Sequence, residues 1–262
     1  MTEPQNNTLG IKQIIRLDWM EKAANLMLAG FDAKTLRGEL HTFLYDKKAA
    51  TKDEERGATS RSQVVNIIMN IWPTPNPAIA PLRNDALAIV RESSTTHLAA
   101  HWALISAQYP FWFNVARQVG RLLNLQEQIT QAQIIRRVKE QYGDRETVSR
   151  YCRAVIRSMV AWDVIRDTGT KGCYRQGTPL VLTDHRIIAL LVEASLHATS
   201  GNVCALRAIL NDPAFFPFQF NSINGEAITR LNKRFELTRL GFDEEILKLK
   251  NADRKFEIST HL

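Results

Sequence analysis

The sequence predicts a mainly α-helical chain with one small β-hairpin near its middle. Apolar residues recur every three or four positions through most of the 262 residues, the period of a helix with one buried face. A glycine-bearing turn, DTGTKG from Asp167 to Gly172, separates two short strand-like runs. Hydrophobic content of 45% suffices for a packed core.

The lead segment Leu9–Leu28 places Ile11, Ile14, Ile15, Trp19, Ala23 and Leu26 on one helical stripe, and Gly30 is positioned to end it. A second helix starts after Asp32 and a third near Ser60 or Ser62. Between them KKAATKDEERGATSR is polar and mixed in sign, a loop whose Asp53, Glu54 and Glu55 read as solvated charges rather than acid catalysts. WPTPNPAIAP, Trp72 to Pro81, is a rigid connector, because each proline removes a donor and restrains its predecessor. Helical pattern resumes from Arg83 to about Glu92 and from Thr96 to about Gln108. The cluster Tyr109–Phe113 reads as a core or interdomain contact rather than a base-stacking platform, and a helix follows from about Trp112 to Leu123.

The middle of the chain carries an ordered series of local signals. Thr130 with Gln133 forms a capping-box pair, opening a helix whose apolar face is Ile134, Ile135 and Val138. Gly143-Asp144 stops that helix and caps the next, a tight turn between two helices. In the second helix Val148, Tyr151, Cys152, Val155 and Met159 make one face, leaving Glu146, Ser149, Arg150, Arg153 and Arg157 outward. Trp162–Arg166 and Cys173–Gln176 are the strands flanking the hairpin loop. Helix, tight turn, helix, hairpin is the order of a winged helix-turn-helix. The expected domains are therefore a helical N-terminal domain over residues 1–110, this module over 111–182, and a helical C-terminal region over 183–262.

In that last region Thr183 or Asp184 caps a helix that Ser200-Gly201 stops, and a shorter helix covers Val203–Leu210. DPAFFPFQFNSING is a proline-interrupted aromatic loop, an amphipathic helix runs from Glu226 to about Leu240, and DEEILKLK closes as a short strand.

The charge is concentrated where the module lies. Residues 111–180 hold 12 Lys/Arg against 6 Asp/Glu, nearly the whole of the net +7, while the regions on either side are almost balanced. Such a local excess attracts polyanions. In a winged module the second helix of the turn enters the major groove while the wing meets phosphates. The DNA-binding candidates are thus Arg145, Ser149, Arg150, Arg153 and Arg157, with Lys171 and Arg175 about the wing and Arg136, Arg137 and Lys139 on the preceding helix. Without Asn or Gln on the reading face, little sequence discrimination is expected. Arg230, Lys233 and Arg234, aided by Arg239, form a secondary surface whose field the acidic Asp243–Glu245 largely cancels.

Catalysis has no signature: GxxxxGK[ST], GxGxxG after a strand, GxSxG and HExxH are all missing. No cofactor, metal or small-molecule substrate is expected. His97 and His101 share a helix face without a third ligand, and Cys152 lies on the apolar side of its helix as a packing residue. Apolar runs are too short to span a bilayer, the start MTEPQNNTLG has no signal pattern, and three scattered cysteines fit a reducing compartment, so a cytoplasmic location is expected.

The size, the segment LMLAGFDAKTLRGEL and the arginine-bearing helix followed by WDVIRDTGTKGCYRQG resemble the BrxA family, the small protein of bacterial BREX phage-defence islands. The resemblance implies a mostly helical, non-enzymatic DNA-binding component working with a methyltransferase, an ATPase and a phosphatase-like partner. Duplex DNA is the expected ligand. The alternatives are an assembly adaptor, docking proteins through the winged module and the FFPFQF loop, and RNA binding by the lead segment.

Overall fold

The computed structural model describes residues 9–45, 57–92, 94–199, 202–240 and 244–250; Asp53–Glu55 and the Ser200-Gly201 stop lie outside them. The chain is mainly helical. It opens with α1 (Leu17–Leu28), α2 (Ala33–Tyr45), α3 (Ala58–Ile71), α4 (Ala80–Glu92) and α5 (His97–Gln108). The middle follows as α6 (Pro110–Leu123), β1 (Gln128–Thr130), α7 (Gln131–Tyr142), α8 (Glu146–Ala161), β2 (Ile165–Asp167) and β3 (Cys173–Gln176). Then come β4 (Leu180–Leu182), α9 (His185–Ala198), β5 (Val203–Ala205), α10 (Leu206–Leu210), a 3₁₀ turn at Pro213–Phe215, β6 (Phe218–Phe220), α11 (Gly225–Leu231), β7 (Phe235–Leu240) and β8 (Glu244–Leu249).

The first helix begins at Leu17, not Leu9. Residues 9–16 spend their backbone groups elsewhere: the Ile15 amide donates to Ser158 Oγ at 2.9 Å, and the Ile15 carbonyl accepts from Trp162 Nε1 at 2.9 Å. Ile11 and Ile15 are fully buried all the same, so the apolar spacing marks buried positions without a helix. Gly30 ends α1 as expected, at φ +82°, and the Gly30 and Phe31 amides donate to the Met27 and Leu26 carbonyls. That pair of bonds satisfies two orphan carbonyls at the helix end and needs the left-handed conformation glycine allows. Asp32 caps α2 by accepting from the Thr35 amide at 2.9 Å.

Helices α5 and α9 pack along one another at the centre. Ala99–Ala107 and Ile187–Leu196 are each buried without a break, as befits helices covered on every side. Because α9 also packs on α4 and α11, and α6 packs on the 3₁₀ turn, buried residues on both sides of the 110/111 and 182/183 boundaries join one apolar cluster. The aromatic run after α5 belongs to that cluster, with Phe111, Trp112 and Phe113 fully buried.

In the middle of the chain the Thr130 capping box forms, Thr130 Oγ1 accepting from the Gln133 amide at 3.2 Å while Gln133 Oε1 accepts from the Thr130 amide at 2.8 Å. Gly143, at φ +86°, ends α7, but the cap of α8 is Arg145 rather than Asp144, whose carboxylate is drawn instead to Lys139. Three antiparallel strands, in the order β1-β3-β2, cover the helices; Thr130 faces Cys173 and Asp167 faces Tyr174. Strand β2 begins at Ile165 rather than Trp162, since Trp162 closes α8 and Asp163 turns the chain at φ +57°.

The C-terminal region is less helical than expected. Phe235–Leu240 pairs in register with Glu244–Leu249 as an antiparallel hairpin, so the helix starting near Glu226 ends at Leu231. The alternation of Phe235 and Leu237 with polar residues fits a pleated half-buried strand, and Asn232, buried and bonded to Glu193, draws the chain out of the helix. Val203–Ala205 joins the same sheet as β5 instead of starting a helix, and β4 pairs in parallel with β6.

Candidate nucleic-acid interface

Helix α8 presents Arg145, Arg150, Arg153 and Arg157 to solvent, while Val148, Cys152, Val155 and Met159 are buried. The thiol of Cys152 is pushed up to about 12, chiefly by burial, which fits a packing residue and not a nucleophile. Ser149 corrects the sequence reading. It is 2% exposed, because i, i+3 and i+7 spacing sets it beside buried Cys152 and Ile156. Ser149 lies in the open groove of about 670 Å³ between α7 and α8, alongside Arg136, Lys139 and Arg153 and the acids Glu140, Asp144 and Glu146.

The cations differ in how they are engaged. Arg153 Nη1 lies 2.9 Å from Glu146 Oε1, and Arg157 Nη1 donates at 2.9 Å to both oxygens of Asp167. Lys139 Nζ sits 2.6 Å from Asp144 Oδ1. Arg145 Nη2 donates to the Tyr142 carbonyl at 3.0 Å, bracing the turn, and Arg150 lies 5.6 Å from the Tyr151 ring centre. Arg136, Arg145, Arg150 and Lys171 are exposed and have no carboxylate partner among the described residues. Arg137 is half-buried, its Nε enclosed without a hydrogen-bond partner, and so falls outside the open row.

Arg157 belongs to a network the sequence did not reveal. Besides Asp167 on β2, it interacts with the Tyr174 hydroxyl on β3, and Tyr174 donates to Gln131 Oε1 at 3.3 Å at the start of α7. Burial pulls the Arg157 guanidinium down, but Asp167 and Tyr174 more than offset it and raise it; burial raises the Tyr174 phenol. No period links residues 157 and 167, since the chain reverses between them, and only the folded hairpin brings them together. Arg175 sits mid-strand opposite Gln128 and Arg166. By the alternation of a strand it points off the face opposite Tyr174, away from the side Arg157 grips. Lys171 remains exposed near the hairpin tip.

The secondary surface is not open in the expected way. Arg234 donates to Glu193 through Nε at 2.7 Å and Nη2 at 2.6 Å, and its Nη2 lies 2.5 Å from Asp85 Oδ2. Glu193 is 1% exposed, so Arg234 neutralises a buried carboxylate and ties β7 to α9 and α4. Arg230 and Arg239 both approach Glu226, at 3.7 and 2.7 Å, which leaves Lys233 exposed.

The FFPFQF loop is internal. Phe215 stacks edge-on to Phe113, and Phe216 and Phe218 both meet Trp102 at 5.9 Å. Phe215, Phe216 and Phe218 are thus committed to the core, while Gln219 is exposed. His101 is fully buried, its Nδ1 accepting from Trp72 Nε1 at 3.2 Å, and burial with the nearby His97 pushes it down to about 3. His97 instead contacts the Val90 carbonyl at 3.0 Å. Among the described residues there is no cluster of three His, Cys, Asp or Glu placed to hold a metal ion, and no helix long and apolar enough to cross a membrane.

No family model, curated protein or solved structure matches the chain.

Proposed function

We propose that this chain is a non-enzymatic DNA-binding protein in which residues 111–182 act as a winged helix-turn-helix. The reading is supported by the element order α6-β1-α7-α8-β2-β3 and the sheet order β1-β3-β2, with the β2–β3 loop as the wing. The observation that carries it is that exposed cations without carboxylate partners, among them Arg136 on α7, Arg145 and Arg150 at α8 and Lys171 on the wing, lie in the region that holds nearly all the excess charge. Arg153 joins them on approach of DNA, because Glu146 is 76% exposed and a solvated pair of this kind is worth only about 0–1 kcal/mol, less than a charge-assisted bond to phosphate. Binding is directed at the backbone of duplex DNA, with low sequence preference. On its resemblance to the BrxA family, this activity is proposed to serve a bacterial BREX defence system, beside a methyltransferase, an ATPase and a phosphatase-like component.

Titration of a fluorescent duplex with wild-type protein and with Arg136, Arg145, Arg150 and Lys171 replaced together by Ala tests the reading. A loss of about 100-fold or more with the fold intact supports it. Unchanged affinity removes the proposed surface, and preference for structured RNA over duplex at matched salt contradicts the choice of DNA.

A further inference from the structure

Arg157 stands in line with Arg150 and Arg153 by spacing, yet its surroundings set it apart. Its guanidinium makes two 2.9 Å bonds from one nitrogen to Asp167, the last residue of β2. Asp167 and Tyr174 are cross-strand partners at the root of the wing. Tyr174 is almost wholly buried and passes the chain on to Gln131, whose own amide donates to the Gly172 carbonyl at 2.8 Å. Hydrogen bonds therefore run from α8 to β2 and from β3 to the first residue of α7, and the pairing of β2 with β3 links the two. Above this root the loop closes on itself: the Thr168 amide donates to the Cys173 carbonyl and the Cys173 amide to that of Thr170. The wing is a short closed loop whose attitude toward α8 is governed by what holds its base.

We infer that Arg157 is a positioning residue, fixing the wing and its Lys171 against α8 through Asp167 and Tyr174, and is not itself a phosphate contact. This rests on the DNA-binding reading for its consequence, but the placement of the wing is separable from it. Were Arg157 a phosphate contact, Asp167 would act as a competitor for it, and removing that carboxylate would strengthen binding. A positioning role has the opposite sign: removing Asp167 loosens the wing and weakens binding even though net charge rises by one.

The test is a set of duplex-DNA titrations on the full chain with Asp167→Asn, Arg157→Gln and Arg157→Lys, each with and without Lys171→Ala, alongside amide exchange of residues 165–176. The expected result is a several-fold weakening by Asp167→Asn and by Arg157→Gln, with partial recovery in Arg157→Lys. Lys171→Ala, costly in the wild type, should cost little in the Arg157→Gln background, a coupling that a general loss of stability would not produce. Exchange should quicken across the wing while α5 and α9 stay protected. Tighter binding by Asp167→Asn, or a Lys171→Ala effect that is the same in every background, overturns the inference. If the wild type fails to bind duplex DNA, the functional reading falls, and the exchange data still decide: unaltered wing protection in Arg157→Gln refutes the placement, and quickened exchange confined to the wing upholds it.

Discussion

Trp162 donates its indole N–H to the Ile15 carbonyl at 2.9 Å, joining the end of α8 to the lead segment 147 positions earlier in the chain. Ser158, one turn before it, receives the Ile15 amide. The helix that carries the proposed DNA-binding arginines is thus anchored at its C-terminal end by the irregular lead segment, in which Ile11 and Ile15 are buried. Trp162→Phe leaves the Ile15 carbonyl without its donor and should cost about 1–3 kcal/mol of stability by chemical denaturation. Tryptophan fluorescence and helical circular dichroism should still report one coincident transition, because the apolar cluster is continuous.

Glu193 and Arg234 should contribute to the acid limb of stability. Burial raises the Glu193 carboxyl most strongly, but hydrogen bonds and charge from His197 and Arg234 outweigh it and leave the group below its ordinary 4.5. As pH falls the unfolded chain takes up this proton first, so the pair's contribution is complete above about 4.5 and is lost as pH drops through the lower folded value. Denaturant midpoints followed between about pH 3 and 6 should therefore fall more steeply for the wild type than for Glu193→Gln. Arg234→Met strands a buried carboxylate and should cost about 3–5 kcal/mol near neutrality.

Gly120 is required by close approach. A Cβ there would stand 1.9 Å from the Pro213 carbonyl oxygen, backbone that cannot swing aside as a side-chain tip can. Arg117, one turn earlier on α6, donates to both oxygens of Asp212, which caps the same 3₁₀ turn. Gly120→Ala should separate the turn from α6 and destabilise the chain by more than the ~1 kcal/mol that alanine usually gains over glycine inside a helix. A thermal melt checks it; a higher midpoint would contradict the contact.

Much of this architecture was legible because it is local. The Thr130–Gln133 box, Asp32 at the head of α2 and Gly30 at the end of α1 each act within a few residues of themselves, and the helix ends they set lie where the sequence puts them. What escaped the sequence depends on distant chain. Leu9–Arg16 has helical spacing but bonds to α8; Phe235–Leu240 also fits a helical stripe, until pairing with β8 offers its backbone a sheet. Ser149 is buried where its spacing predicts exposure, because α8 is covered over a wider face than its largest apolar residues trace. The exposure of the arginine row follows from its spacing, while the division between Arg150, which has no acid, and Arg157, bound to Asp167, arises only where the hairpin folds back.

The dependence of duplex-DNA affinity on salt tests the central claim most directly. Four to five phosphate contacts, from Arg136, Arg145, Arg150, Lys171 and the exchangeable Arg153, predict a slope of about −4 in log affinity against log salt concentration. Replacing Arg150 and Lys171 together by Ala should bring it to about −2, with affinity falling equally for unrelated sequences. A slope near zero, or one that the double substitution leaves unchanged, would show that this face does not hold DNA.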